Sequence, residues 1–401
     1  MTNDAPLSPN IAAATGVQDA TAEAPARAAV APAPARRRAA PAVPAAPAPV
    51  SPARRRAILR QLGIVLLLLV MADLVTRVAL EPLVLSDPFE RDRTLWHVAL
   101  YHQTPAPVDV LVMGSSRVQL GLSPVLMMNE LKTQFQQPVH ILNLGMKLAT
   151  PQANYWMLKN VVQPDKQPRV IIYGAAEYEF NEYLNLPPTY DYRDELATLS
   201  DYSQAFPDPT QRIDDQLSFL LGRPWYLFRM RNVIRSAVTE RDDPGASSWP
   251  GGIKEDPYGF VPADGVMDAG AIARMRGLYV NAPGWGLLKN YTIGGPMVTR
   301  FEQFLQLAKD RGIHVIVLNM PVAKVHETFL PPAAYAAYRA YLQQTAAKYG
   351  MTYADYNNHA LWQEPQDFRD TNHLNNRGAA KLSPMVTDQM LAPALRDLGW
   401  K

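Results

Sequence analysis

Two short stretches of this chain carry residue types that could do covalent chemistry together. Val108-Asp109-Val110-Leu111-Val112-Met113-Gly114-Ser115-Ser116-Arg117 reads as a buried strand running into a tight turn with serines at its end. Far downstream, Asp370-Thr371-Asn372-His373-Leu374-Asn375 places an Asp three residues before a His. A serine hydroxyl is a poor nucleophile until a base takes its proton, and His is the usual base near neutral pH. A carboxylate then fixes the imidazole tautomer and stabilises the imidazolium. Ser116, His373 and Asp370 fill these roles by type. Each motif also has an ordinary reading: Gly-Ser-Ser as a helix cap, Asp-x-x-His as a loop carboxylate beside a solvent-facing ring.

The elements that would position these residues are visible as short apolar runs. Asp109–Met113, Val139–Leu144, Val170–Tyr173, Val315–Asn319 and a weaker Thr352–Ala354 read as strands. The first four are near-continuous apolar runs, as expected of strands covered on both faces. Ser123–Phe135, Pro151–Val162, Val298–Arg311 and Pro332–Tyr349 read as intervening helices. The last has proline in its first turn and stops before Gly350. Such alternation predicts an α/β domain on a parallel sheet, with its site at the carboxyl ends of the strands. Residues 182–297 interrupt the alternation as an insertion rich in Pro, Asp, Tyr and Gly, with one helical piece near Asp214–Ala237. Within it, Arg223–Arg231 mixes aromatic and basic residues. It reads either as a packed helix with solvated arginines or as a membrane-facing or partner-facing one. Loops around Trp249–Ile253 and Pro283–Gly286 could roof a cleft.

Composition bounds the setting. The net charge is +2 over 401 residues, but residues 1–60 carry +5 and the remainder −3. The basic character therefore sits outside the part patterned as a globular domain, which argues against nucleic-acid binding. Cysteine is absent, which removes disulfides, thiolate catalysis and Cys-based zinc sites. Residues 1–56 are Ala/Pro/Arg-rich and read as a disordered cytoplasmic tail. Residues 57–80 are long and apolar enough for a transmembrane anchor. The triple arginine Arg54–Arg56 before them predicts a cytoplasmic N-terminus and an extracytoplasmic C-terminal domain. Asp73 and Arg77, inside the apolar stretch, either pair with one another or contact a partner membrane protein. Residues 81–107 read as a connector with some helical character, and 108–401 as the domain.

On three stretches the chain resembles SGNH/GDSL hydrolase-type proteins. These are Val110–Arg117 for the nucleophile block, Asn143-Leu-Gly-Met-Lys-Leu-Ala-Thr150 for the second block, and Phe368–Gly378 for the last. More narrowly, it resembles the membrane-anchored members that work with membrane-bound O-acyltransferases in modifying bacterial surface polysaccharides. The resemblance implies a flavodoxin-like three-layer α/β/α fold, a Ser116–His373–Asp370 triad and no cofactor. It also implies acyl transfer, acetyl for preference, to a polysaccharide at the outer face of the inner membrane. The oxyanion would rest on backbone N–H groups of Ser116 and the Gly145 region.

This sequence departs from the family pattern at two places. The oxyanion glycine of the second block is Leu148 here. The third block, usually Gly-x-Asn-Asp, is Gly174-Ala175-Ala176-Glu177, so its asparagine donor is missing. Glu177 reads as a carboxylate at a helix start. Arg117 either contacts an anionic substrate group or pairs with a carboxylate at the sheet rim. His97, His102, His140, His314 and His326 have no partner by spacing, His359 has no Asp in register, and no metal site is suggested. Two further functions stay open: a non-catalytic glycan-binding or scaffold subunit of a polysaccharide export complex, and an esterase.

Overall fold

The computed structural model describes residues 51–86, 94–105, 107–186, 192–207, 210, 213–229, 256–281 and 287–401. The chain divides into two units, Met1–Arg60 and Gln61–Lys401, and the sheet with its helices belongs to the second. The expected tail lies outside the described residues up to residue 50, as do the loops at 249–253 and 283–286.

Five strands form one all-parallel sheet: β1 (Val110–Gly114), β2 (Ile141–Asn143), β3 (Val170–Ala175), β4 (His314–Asn319) and β5 (Thr352–Asp355). Their spatial order is β2-β1-β3-β4-β5, the flavodoxin-like order, whose topological switch point lies between β1 and β3. The sheet is apolar on both faces. Leu111, Met113, Ile171, Tyr173, Val315 and Val317 belong to one core, and Val110, Val112, Val170, Ile172, Ile316 and Leu318 to the other. Alternation along each strand sends successive side chains to opposite layers, which is why the sequence reads as unbroken apolar runs.

Helices cover each face. Gly295–Asp310 buries Phe301, Phe304, Leu305 and Ala308, a single stripe of spacing i, i+3, i+4, i+7. Phe301 and Phe304 lie 5.0 and 5.2 Å from the Tyr173 ring. Each such ring, fully buried, contributes about 1.5–3 kcal/mol. Pro332–Tyr349 ends where Gly350 takes φ +74° and its N–H returns to the carbonyls of Ala346 and Ala347. On the other face lie Pro124–Leu131 and Asn376–Val386. The helix expected over 151–162 is α-helical to Trp156 and closes in a wider π turn over Met157–Val161.

Between β3 and β4 the chain makes its long excursion. The helix expected from Asp214 is cut at Gly222 and resumes only as Tyr226–Arg229; Pro224 lies in the gap, without an N–H to continue the ladder. Positions 230–237 lie outside the described residues. A strap over 256–267 crosses the top of the domain. Tyr258 O accepts the Asn143 N–H (2.7 Å), Val261 N–H donates to Gln119 O (3.0 Å), and Met267 N–H donates to Phe368 O (2.8 Å).

Ahead of the sheet, helix Pro52–Ser86 is the one described helix long and apolar enough to cross a membrane. Asp73 and Arg77 pair, with Arg77 Nε donating to Asp73 Oδ2 at 2.8 Å. The other carboxylate oxygen is taken from within the chain, by the Leu227 N–H at 2.7 Å.

Candidate active site

The site begins at the exit of β1. Gly114 takes φ +139°, and a Cβ there would meet the carbonyl oxygen of Gly174 at 2.5 Å, so only glycine fits. Ser115 follows in extended conformation, and Ser116 opens a short helix to Gly121. Val118, two residues along, fills a notch made by glycines at the ends of neighbouring strands. A Cβ on Gly145 or Gly174 would meet its methyls at 2.6 and 2.0 Å. Asn143, at the end of β2, locks the short helix from below: its amide donates to Val118 O (2.7 Å) and Leu122 O (2.8 Å).

The second arm is the loop between β5 and helix Asn376–Val386. Asp370 Oδ1 accepts the N–H of Asn372 and of His373, both at 3.0 Å. This closes a tight turn that brings its carboxylate under the His373 ring. Asn375 caps the following helix through Gly378 N–H at 3.1 Å.

The two arms meet. Ser116 Oγ lies 2.8 Å from His373 Nε2, and His373 Nδ1 lies 2.9 and 3.0 Å from the two oxygens of Asp370. Burial works to raise the Asp370 pKa. The charge and hydrogen bond of His373, with the two backbone N–H donors, outweigh it and hold the carboxyl down to about 2. An ionised Asp370 can only accept, so Nδ1 carries the proton and Nε2 is left to accept from the serine hydroxyl. Ser116 and His373 remain part-exposed, so this face of the site opens to solvent.

The oxyanion side differs from expectation. Gly145 is not a free donor: its N–H is committed to Asn143 Oδ1 at 2.9 Å, and that of Met146 to Gly114 O at 3.0 Å. Gly145 is a packing glycine, required by Val118. Leu148 takes φ +53°, the left-handed conformation a glycine would hold without strain. Among the described residues nothing accepts its N–H or that of Lys147. Ala176 is fully buried and offers no side-chain donor.

Arg117 is likewise not a substrate contact. Its guanidinium is turned inward, with Nη1 and Nη2 donating to Glu177 at 2.6 and 2.7 Å, each side chain 1% exposed. Being one position past Ser116 on a helix turns it about 100° away from the opening. His326 completes the cluster, its Nε2 2.9 Å from Glu177 Oε1 and its Nδ1 2.8 Å from Thr371 Oγ1. Burial lowers the His326 pKa, against the pull of Glu177. The neutral ring therefore donates from Nε2 to Glu177 and accepts from the Thr371 hydroxyl. Glu177, despite its burial, is held far below the usual carboxylate range by Arg117 and His326. One carboxylate thus ties the residue after Ser116 to the residue after Asp370. The expectation of His326 as a partnerless residue is corrected by this cluster. Its members stand 60 and 149 residues apart, so no local spacing could have signalled it.

No protein-family model and no curated protein matches the sequence. Among solved structures, the chain is similar to a lipase/acylhydrolase from Enterococcus faecalis, at 12% identity over 71% of this chain and 95% of that one, TM-score 0.35. It is also similar to a catalytic mutant of an acetylxylan esterase from Geobacillus stearothermophilus, at 10% identity over 75% and 97%, TM-score 0.32.

Proposed function

We propose that the chain is a membrane-anchored serine acyltransferase acting outside the cytoplasm. The observation that carries this is the continuous hydrogen-bonded line Ser116–His373–Asp370 at the carboxyl end of the sheet. In the proposed reaction Ser116 Oγ attacks the acyl carbonyl of a donor ester while His373 Nε2 takes the hydroxyl proton. The tetrahedral intermediate collapses when His373 returns that proton to the departing alkoxide, leaving an acyl-serine. A sugar hydroxyl then attacks the acyl carbon and gives its proton to His373; the acyl–Ser116 bond breaks, His373 returns that proton to Ser116 Oγ, and the acylated sugar leaves. Asp370 holds the ring and stabilises its cation. The oxyanion falls to backbone N–H groups, those of Ser116 and the Lys147–Leu148 turn. The side chain absent at Ala176 is worth on the order of 10²–10³ in rate where such a donor exists.

The resemblance to partners of membrane-bound O-acyltransferases supports a membrane protein as donor supplier, an acetyl group and an exported polysaccharide acceptor. The apolar length of helix Pro52–Ser86 supports the anchor. The arginines before it support a cytoplasmic N-terminus at the bacterial inner membrane.

The test uses the full-length chain in detergent. It should be labelled by a fluorophosphonate and should release p-nitrophenol from p-nitrophenyl acetate with a burst of acyl-enzyme. Ser116→Ala should lose both while keeping the parent's circular dichroism. Labelling that persists in Ser116→Ala refutes the assignment. Ala176 favours one other reading, a glycan-binding scaffold without catalysis, and a parent chain that takes no label would establish it over the first.

A further inference from the structure

Helix Ile213–Gly222 has two apolar faces, and only one is used. Phe219 turns inward, with Phe206 and Tyr202 at ring distances of 5.5 and 6.2 Å. Gln216 and Gly222 are buried beside it. Ile213, Leu217, Leu220 and Leu221 are 60, 53, 41 and 51% exposed. Their spacing, i, i+4, i+7, i+8, gathers them on one face of the helix. Four adjacent large aliphatic side chains turned to solvent mark an interaction surface.

What that face meets is indicated by where the next residues dock. Past Gly222 the chain passes through Arg223 and Pro224 into the short helix Tyr226–Arg229, which is fastened to helix Pro52–Ser86. Leu227 N–H donates to Asp73 Oδ1 at 2.7 Å, Arg77 donates to Pro224 O at 3.2 Å, and the Arg77 guanidinium lies 5.4 Å from the Tyr226 ring centre. The stretch read from the sequence as a span runs over residues 57–80, with Glu81 next in the chain. At 1.5 Å per residue, Arg77 lies roughly 4–5 Å and Asp73 roughly 10 Å inside that end. Helices that lie in a membrane surface sink their apolar face about 5–10 Å into the boundary between headgroups and acyl chains. The fastening point therefore falls at the depth such a helix occupies.

We propose that helix Ile213–Gly222 lies in the plane of the membrane, with Ile213, Leu217, Leu220 and Leu221 in lipid, as a second contact with the bilayer that helix Pro52–Ser86 crosses. This rests on the reading of that helix as a span. It accounts for the ionisable pair inside the apolar stretch, because Asp73 and Arg77 hold the chain's own segment at the interface. It also fixes the domain against the leaflet from which a membrane-borne acyl donor would be presented.

The absence of cysteine makes the test direct. Full-length chains carrying single Val65→Cys, Leu217→Cys, Leu221→Cys or Lys309→Cys substitutions are spin-labelled and reconstituted in phosphatidylcholine vesicles containing some phosphatidylglycerol. Accessibility to oxygen is then compared with accessibility to a water-soluble nickel chelate. All four positions are exposed, so the fold is not at risk. Labels at 217 and 221 should be about tenfold less accessible to nickel than the label at 309, as at position 65. Nickel access at 217 and 221 equal to that at 309, with 65 protected, overturns the surface helix and leaves the anchor standing. Nickel access at 65 overturns both. Protection at 217 with full nickel access at 221 overturns the in-plane orientation.

Discussion

Replacing Glu177 by Gln removes a negative charge from a site where a buried Arg117 depends on it. Both side chains are 1% exposed and joined by two short hydrogen bonds, with His326 donating a third. Removing one member of such a pair costs about 3–5 kcal/mol, because the other charge stays buried without compensation. The glutamine amide oxygen can still accept from Arg117, which returns about 1 kcal/mol. Glu177→Gln should therefore lose about 2–4 kcal/mol, a large share of the ~5–15 kcal/mol typical of a folded domain. Arg117→Met/Glu177→Leu removes both charges and should be much closer to the parent than the sum of the two single changes. Urea unfolding of the full-length chain in detergent, followed by near-ultraviolet circular dichroism, reads these values. Positioning is read separately, by the rate of fluorophosphonate labelling at Ser116. Arg117 adjoins the nucleophile and Thr371 adjoins Asp370, so losing the hub frees both arms. A misplacement of about 1 Å costs on the order of 10²-fold in rate. Labelling should be slowed by a factor of that order in the double variant as well, although its stability recovers. Additive stability losses, or a double variant that labels at the parental rate, would refute the account of Glu177 as a charge-balanced tie between the arms.

Two other consequences are open to measurement. The Asp370 carboxyl, held down to about 2, binds its proton more weakly folded than unfolded. Its contribution of about 2 kcal/mol is thus present above about pH 4 and lost as pH falls towards 2. Urea midpoints taken from about pH 5 to about pH 3 should fall more steeply for the parent than for Asp370→Asn, and parallel curves would contradict the shift. Gly174→Ala drives a Cβ against the Val118 methyl, whereas Gly114→Ala drives one against a backbone carbonyl at positive φ. Both should destabilise by about 1–3 kcal/mol or more. Adding Val118→Ala should recover part of the first loss and none of the second, and equal recovery would overturn the distinction.

Much of this was legible in the sequence, for physical reasons that also explain what was not. Strands covered on both faces leave near-continuous apolar runs, so β1 to β4 were visible to within a few residues. Pro332 and Gly350 announce their helix because each has a backbone property the helix boundary uses. Ser116, Asp370 and His373 could be paired from two motifs because their chemistry requires those types. The failures came where a side chain's direction decides its role. Arg117 adjoins the nucleophile in sequence and turns about 100° away from it, into the interior. Gly145 has the residue type of an oxyanion loop, but Val118 claims its missing side chain and Asn143 claims its N–H. The 256–267 strap has neither helical nor strand periodicity, and its contacts with Asn143, Gln119 and Phe368 are made by backbone groups, which sequence does not distinguish.

The end of β3 ties these departures together. In the SGNH pattern that the sequence resembles, that position holds an asparagine. Here the chain delivers Ala176, buried and without a donor, and then Glu177, turned beneath the site to hold Arg117 and His326. The same strand end cannot both reach up to substrate and anchor the two arms from below. Its resources go to geometry and not to charge stabilisation. The serine–histidine line stays intact, and the reaction proposed for it would rest its oxyanion on backbone N–H groups. On the proposed function, such a site calls for an activated acyl donor and a well-held acceptor, the demand of transfer between bound partners and not of attack by water.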